Sequence, residues 1–570
     1  MPWALVSLCV LGSGIMMGAV WAYESLSFGG YWNWDPVENA SLMPWLIMAA
    51  AVHCMVVYQS SKKALHSSVL MSVLAFLLVL YATFLTRSGI LGDSSVHSFT
   101  DLGLSGQLLV WLLFFVVLAK LIILFTWKKY SSSKEEDRLS SREFWMFIGA
   151  LLLLLSAIHI ITVTSIPVYN KIGLLFGQDW KIAPPSDRFT GYHFVQIPIA
   201  ILIGLGSAFT QFLKYRQTGD LKKFYVLMGL HLAVATGISA GVFFTQDFGK
   251  PVYGILMLTS LFAVTVNAQY IINILRFRWS ASGAALSHIG FALVLIGALL
   301  SSVNKNIISQ NTSGMNLGDE KTNAENILLE KNQTLRMKEY FVTYTGDTSI
   351  PPDVFYRVHY RKVDEQGNVT EEFTLTPNAQ INPKMGLIAN PDTKHYWDHD
   401  VFTHVTSVLN KKDETNDTTG LRNIRMSWVT AGDETKINGS QVTFLGTENR
   451  TTSVANDSIQ AEVLVGARFR IITPRQETFY VEPLYGIKDS IPVYIDGRCK
   501  EAGIVLGFVG VDPDSRKIHI AIAEKDPERD FIIMKAIVFP YINVLWAGCF
   551  LFGLGSFISF VRRIRLSKQA

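Results

Sequence analysis

Cysteine is scarce in this chain of 570 residues. There are four, Cys9, Cys54, Cys499 and Cys549, and no Cys-x-x-Cys pair. Three lie in apolar runs and Cys499 stands alone in the polar part, so neither a disulfide framework nor a dithiol redox centre follows. Charge is scarce too, at 17% of residues with a net +4. That leaves no basic surface of the extent nucleic acid demands, and no nucleic-acid partner is expected. No phosphate loop, dinucleotide fingerprint or Ser/His/Asp order is present. The chain opens on Met-Pro-Trp with no basic residue before its first apolar run. The opening therefore does not read as a cleaved secretory signal.

Apolar residues are abundant, at 49%. Runs long enough to span a bilayer fall at 3–22, 41–59, 67–86, 106–127, 143–165, 194–213, 223–245, 251–275, 283–303 and 536–561. About ten membrane helices are predicted, with Pro44 placed to kink the second. Lys62, Lys63, Lys128, Lys129, Lys214, Lys222, Lys223, Arg276, Arg278 and the tail Arg562, Arg563 and Arg565 all fall on one side, which the charge bias makes cytoplasmic. The loop at 24–40 and the long polar stretch between helices nine and ten then lie outside. That stretch alternates apolar and polar residues, as in Val354-Phe-Tyr-Arg-Val-His-Tyr-Arg, between turn signals such as Ile495-Asp-Gly497. The expected fold is a multi-pass α-helical membrane protein with an all-β extracytoplasmic domain inserted before the last helix. Its parts are a membrane domain at 1–303, a β domain, sandwich or barrel-like, at 304–535, and a last helix with a basic tail at 536–570.

The densest chemistry lies at 24–45. Phe28-Gly-Gly-Tyr-Trp-Asn-Trp-Asp-Pro-Val-Glu sets Tyr31, Trp32 and Trp34 beside Asp35 and Glu38. Asp35-Pro36-x-Glu38 reads as a capped helix start. A single Trp here is an ordinary interfacial anchor. The whole cluster, on one short loop at the membrane edge, suits a large planar apolar ligand better.

Of twelve histidines, two sit inside membrane helices at matched depth. His53 lies about seven residues before Ser60 and His288 about six after Ser282. At ~1.5 Å per residue both are ~10 Å from the cytoplasmic face. Two imidazoles at one level can supply both axial ligands of a haem b, or merely hydrogen-bond across helices. His231 is at similar depth and is the rival ligand; His159 lies nearer the outer face. His395, His399 and His404 in the β part invite a metal reading by spacing alone, which the following strand-like alternation weakens.

The run from Trp21-Ala-Tyr-Glu through Gly29-Gly-Tyr-Trp-Asn-Trp-Asp-Pro-Val-Glu-Asn-Ala-Ser-Leu-Met-Pro-Trp45 resembles the tryptophan-rich WWD signature of the haem-handling CcmF- and CcsA-type cytochrome c assembly proteins. The large insert before the last helix resembles the CcmF branch, the haem lyases. The resemblance is tightest over the first hundred residues and loosest in the insert. It implies a haem lyase component in a cell inner (plasma) membrane with its large domain on the periplasmic side. The signature loop would bind haem, with Trp32 and Trp34 as platform and His97, which follows Arg87-Ser-Gly, as axial ligand. Asp35 and Glu38 would belong to the same site, shaping the loop. His53 and His288, in Met43-Pro-Trp…His53 and Ser287-His288-Ile-Gly290, would hold haem b. Implied partners are haem, a haem carrier protein, apocytochrome c and other cytochrome c maturation subunits. The family also carries helices and a second external histidine ahead of the loop, so the resemblance implies either a separate polypeptide supplying them or a truncated sequence; His193 is external but lacks a matching motif. The rival functions are a haem transporter or exporter, needing a polar or aromatic lining between the two sites, and a structural assembly subunit that binds no haem.

Overall fold

A computed structural model describes residues 1–92, 95, 103–129, 138–215, 220–246, 248–313, 316–382, 386–408, 422–450, 463–488, 491–512, 515, 517–524 and 530–569. In chain order its helices are α1 (Pro2–Ser25), α2 (Pro36–Ser61), α3 (Leu65–Arg87), α4 (Ser105–Thr126), α5 (Arg142–Thr164), α6 (Ile166–Leu175), α7 (Arg188–Phe212), α8 (Leu221–Thr245), α9 (Pro251–Gln269), α10 (Gly283–Val303), α11 (Glu320–Glu325) and α12 (Ile542–Gln569). All except the short α6 and α11 are long and apolar enough to cross a membrane, ten among the described residues, and this is a membrane protein. Pro44 lies inside α2 without ending it.

α2 is the most enclosed span, packing Met43, Trp45, Ile47 and Ala50 into the bundle, whereas α4 has no fully buried residue and leans on α3 through Phe115 against Phe76. Lipid is as apolar as Leu, so membrane helices associate through close backbone packing, which small residues permit. α10 and α12 do this along their length. A Cβ on Gly290 would stand 2.3 Å from the Phe552 nitrogen, and one on Gly297 would stand 2.2 Å from that of Leu545. From the other side, a Cβ on Gly555 would stand 2.4 Å from the Ser287 nitrogen. The glycines recur every seven residues on both helices, at 283, 290 and 297 and at 548 and 555. The last helix thus returns to the helix that precedes the β region and clamps both ends of it.

The β region has two hydrophobic cores. In the first lobe, a five-stranded sheet built around the antiparallel strands His399–Val408 and Phe531–Pro540 packs on a six-stranded sheet spanning Thr334–Met337 to Gly386–Asn390. Tyr340, Tyr344, Val358, Tyr360, Val401 and Met534 fill the space between them. The second lobe is inserted between those two paired strands. Its four-stranded and six-stranded sheets close on Phe444, Phe469, Phe508 and Ile520. The expected domain end at 535 falls inside the strand Phe531–Pro540, which turns directly into α12. The apolar residues 536–539 that extended the predicted helix are strand residues of the sheet core.

The first lobe sits on the membrane bundle. Tyr23 of α1, Phe402, Ile537, Phe539 and Ile542 form one buried cluster, with Tyr31 and Trp546 at its edge. A Cβ on Gly29, whose φ is +69°, would stand 2.8 Å from Ile537 Cδ1. Asn543 Nδ2 donates to the carbonyls of Tyr396 (2.7 Å) and Trp397 (3.1 Å). The aromatic loop and the β region therefore share one face of the bundle.

Candidate functional site

The loop ahead of α2 is built on its cap. Asp35 accepts a hydrogen bond from the Val37 N–H at 2.9 Å, and Glu38 Oε2 accepts from the N–H groups of Asn33 and Asp35, both at 3.0 Å. This is the reciprocal capping box the spacing predicts. Asp35 is fully buried; it also accepts from the Ser95 hydroxyl at 2.6 Å and lies 3.7 Å from an Arg188 nitrogen. Both carboxylates are thereby committed to holding the turn. Tyr31, at the other end, bonds Ser302 at 2.8 Å and the Ala298 carbonyl at 3.3 Å, so the loop is tied to α10. Burial pushes its phenol up to about 12.

Trp34 adopts a left-handed backbone, φ +51°, a conformation costly for a side chain of its bulk. Three contacts hold it there. Its carbonyl accepts from Asn39 Nδ2 at 3.1 Å, that same amide reaches the Tyr192 hydroxyl at 3.0 Å, and the indole stacks on the Tyr192 ring at 4.6 Å and 6°. Trp32 meets Trp34 edge-on, at 5.9 Å and 90°. His193 stands edge-on to Trp34 at 6.2 Å, which brings to the loop a histidine that no sequence motif assigned there. Asn39 and Tyr192 were also missed. A buried Asn in a membrane helix is a signal of sorts, but nothing in the sequence pairs positions so far apart. His97 lies outside the described residues.

The second cluster lies deeper. His53 of α2 and His288 of α10 face each other with ring centroids 6.3 Å apart and planes within 12°. His53 Nδ1 lies 2.8 Å from the Ala49 carbonyl, which only accepts, so Nδ1 carries the proton and Nε2 keeps a free lone pair. His288 Nδ1 is buried with no hydrogen-bond partner among the described residues. Two imidazoles bound to one metal at about 2 Å each would put their centroids about 6 Å apart. The separation and donor set therefore fit an iron between them. His231, the rival, instead bonds Gln269 of α9 through Nε2. His159 bonds Gln196 at 3.1 Å.

The three β-region histidines do not converge. His395 bonds Asp400 at 2.9 Å, and His399 bonds Asp398 at 3.0 Å while stacking on Tyr396. His404 is buried in the sheet, where desolvation and the Lys535 charge hold it down to about 4. No group of three or more metal-ligating side chains exists among the described residues.

Residues 1–91 match the family described as Cytochrome C assembly protein. The chain is 32% identical to the cytochrome c-type biogenesis protein CcmF of Pseudomonas fluorescens, over 53% of this chain and 46% of that one. It is 28% identical to CcmF of Escherichia coli (strain K12) over the same shares. Over a stretch of 98 residues, 17% of this chain and 14% of the relative, it is 49% identical to the cytochrome c-type biogenesis protein CycK of Bradyrhizobium diazoefficiens. The chain spans just under half the length of the CcmF relatives it matches. A solved structure of the cytochrome c heme lyase CcmF superposes with a TM-score of 0.57 at 16% identity, covering 98% of this chain and 65% of that one, which shows a shared fold.

Proposed function

Because the chain belongs to the CcmF-type cytochrome c assembly family, we propose that it is a haem lyase component of cytochrome c biogenesis with two haem sites. His53 and His288 hold a resident haem b, and the Trp-rich loop presents substrate haem on the β-domain side of the membrane. The observation that carries this reading is the facing imidazole pair, 6.3 Å apart on α2 and α10. Intramembrane histidines are costly to bury and are usually retained for function.

The protein's own part in the reaction is positioning. Trp32 offers its face to the substrate macrocycle, while Trp34, locked by Tyr192 and Asn39, fixes where that face points. His97 supplies an axial nitrogen. Each cysteine thiol of the apocytochrome then adds S–H across a haem vinyl group, forming a thioether without net oxidation. Restricting both reactants to one geometry supplies most of the acceleration. When bound, the resident haem b would provide one-electron transfer toward the substrate iron, itself re-reduced by an external electron donor. Haem arrives from a carrier protein, apocytochrome c is the acceptor, and other maturation subunits complete the assembly. The basic loops support a cytoplasm opposite the β region, and the proposed setting is the inner membrane with that region in the periplasm.

Absorbance spectra of the purified protein test the reading. His53→Ala and His288→Ala are each expected to abolish low-spin b-type absorbance while the protein stays in the membrane; His231→Ala is expected to leave it. Persistence of the spectrum in His288→Ala overturns the ligand pair. A ligation assay with an apocytochrome peptide carrying Cys-x-x-Cys-His separates a lyase from a transporter.

A further inference from the structure

α5 begins beside the deep histidine pair, and its first residue is an arginine. Ser141 caps the helix by accepting from the Phe144 N–H at 3.3 Å, and the Arg142 N–H donates to the Lys214 carbonyl at 3.0 Å. α5 packs on α2 through Phe147, Ala150 and Leu153 against Ala50 and Cys54, the residue next to His53. The start of the helix is therefore fixed against the histidine-bearing turn of α2. The Arg142 side chain is only partly engaged. One terminal nitrogen donates to Gln211 Oε1 at 2.9 Å, and the guanidinium lies 5.4 Å from the Tyr215 ring centroid. Its Nε is buried and has no hydrogen-bond partner among the described residues. Its charge lies within electrostatic reach of His53 and of His288.

A guanidinium stays charged at any physiological pH, and burying it with a donor unused is expensive unless an anion completes the site. Its planar fork matches a carboxylate in two parallel hydrogen bonds. Haem b carries two carboxylates on flexible arms. We propose that Arg142 holds a carboxylate of the haem bound between His53 and His288, fixing which way the macrocycle faces. The proposal rests on the reading of that pair as a haem b site. Gln211 orients the fork from α7, and the free Nε edge is the one left for the ligand. Arg142 is a cofactor-binding residue with no part in forming the thioether bond.

The test uses the full chain in detergent, loaded with iron protoporphyrin and challenged by exchange with its dimethyl ester, whose carboxyl groups cannot ionise. Wild-type protein is expected to prefer the free acid by roughly tenfold or more, the worth of one charge-assisted hydrogen-bond pair. Arg142→Gln should bring that ratio toward one with the low-spin spectrum retained, and should shift the midpoint potential to more negative values as a positive charge is lost. Arg142→Lys should recover part of the preference. A wild-type ratio near one, or an unchanged ratio in Arg142→Gln, overturns the proposal, and the first of these needs no variant to fold. Failure of the haem b reading is a separate result, seen as wild-type protein without b-type absorbance or as His53→Ala that keeps it.

Discussion

Tyr23 and Asp400 are 377 residues apart in sequence and meet hydroxyl to carboxylate at 3.0 Å. Both are buried, and the same carboxylate oxygen also accepts from His395 Nδ1 at 2.9 Å. His395 Nε2 in turn lies 3.5 Å from Glu24. The end of α1 is thus fastened to the first β lobe at two adjacent residues, immediately before the chain enters the aromatic loop. Whatever the loop presents is positioned by the β region as much as by the membrane bundle.

Tyr23→Phe keeps the ring contacts with Phe402, Phe539 and Trp546 and removes only the hydroxyl. Leaving a buried carboxylate one donor short costs about 1–3 kcal/mol. The thermal midpoint of the purified protein should fall by a few degrees, while b-type absorbance, proposed to arise from His53 and His288, should stay as in wild type. Asp400→Asn should fall less than Asp400→Ala, because the amide can still accept from Tyr23.

The α10–α12 seam gives a sharper contrast. Gly290→Ala drives a methyl group to 2.3 Å from backbone, which only a shift of the helix relieves, whereas a Cβ on Gly553 meets nothing nearer than the Ser13 hydroxyl at 3.6 Å. Gly290→Ala should cost about 1–3 kcal/mol or more by overpacking. Because His288 is two residues away on the same helix, it should also weaken b-type absorbance. Gly553→Ala should match wild type in both yield and spectrum.

His404 gives a pH signature to the first lobe. Its folded-state pKa is lowered from 6.5 to about 4 by burial first and by Lys535 second. Between those values the unfolded chain binds the extra proton and the folded one does not. Stability is therefore full above about 6.5 and is lost as pH falls toward about 4, by roughly 3 kcal/mol in all. Hydrogen exchange of the strand His399–Val408, corrected for intrinsic rates, should show protection falling over this window. His404→Leu should flatten the dependence even if it changes the absolute protection.

Sequence periodicity and length were enough for the ten spans, since a bilayer-crossing helix must be a run of about twenty apolar residues. They were also enough for the cap at Asp35 and for the matched depth of His53 and His288, which are properties of single segments. The pairing of α10 with α12 was written in the seven-residue glycine spacing but is separated by the whole β region, so hydropathy alone did not reveal it. The two lobes merged into one expected domain because alternation reports strands, not which sheet each joins. Residues 536–540 of the strand Phe531–Pro540 read as membrane helix because a strand buried in a sheet core is as apolar as a helix in lipid. Tyr192 against Trp34 is a contact between distant helices, and no local pattern encodes it.

That contact divides the two tryptophans of the loop. Trp34 has one face covered by Tyr192, its carbonyl held by Asn39, and a backbone conformation that an unsupported Trp would leave. Trp32 meets Trp34 in a T-shaped contact, has no stacked ring partner among the described residues and is half-buried. Stacking a macrocycle requires an open face, so Trp32 is the residue expected to contact haem and Trp34 the residue that aims it. Trp32→Ala should leave the thermal midpoint near wild type and weaken uptake of external haem by about tenfold, the worth of one aromatic stack. Trp34→Ala should lower the midpoint as well, and Tyr192→Leu should reproduce that loss while Tyr192→Phe, which keeps the stack and gives up the Asn39 bond, recovers most of it. Haem titration followed by absorbance, run beside thermal unfolding on the same preparations, separates the roles. If Trp32→Ala destabilises the protein as much as Trp34→Ala, the division fails and both indoles belong to the scaffold.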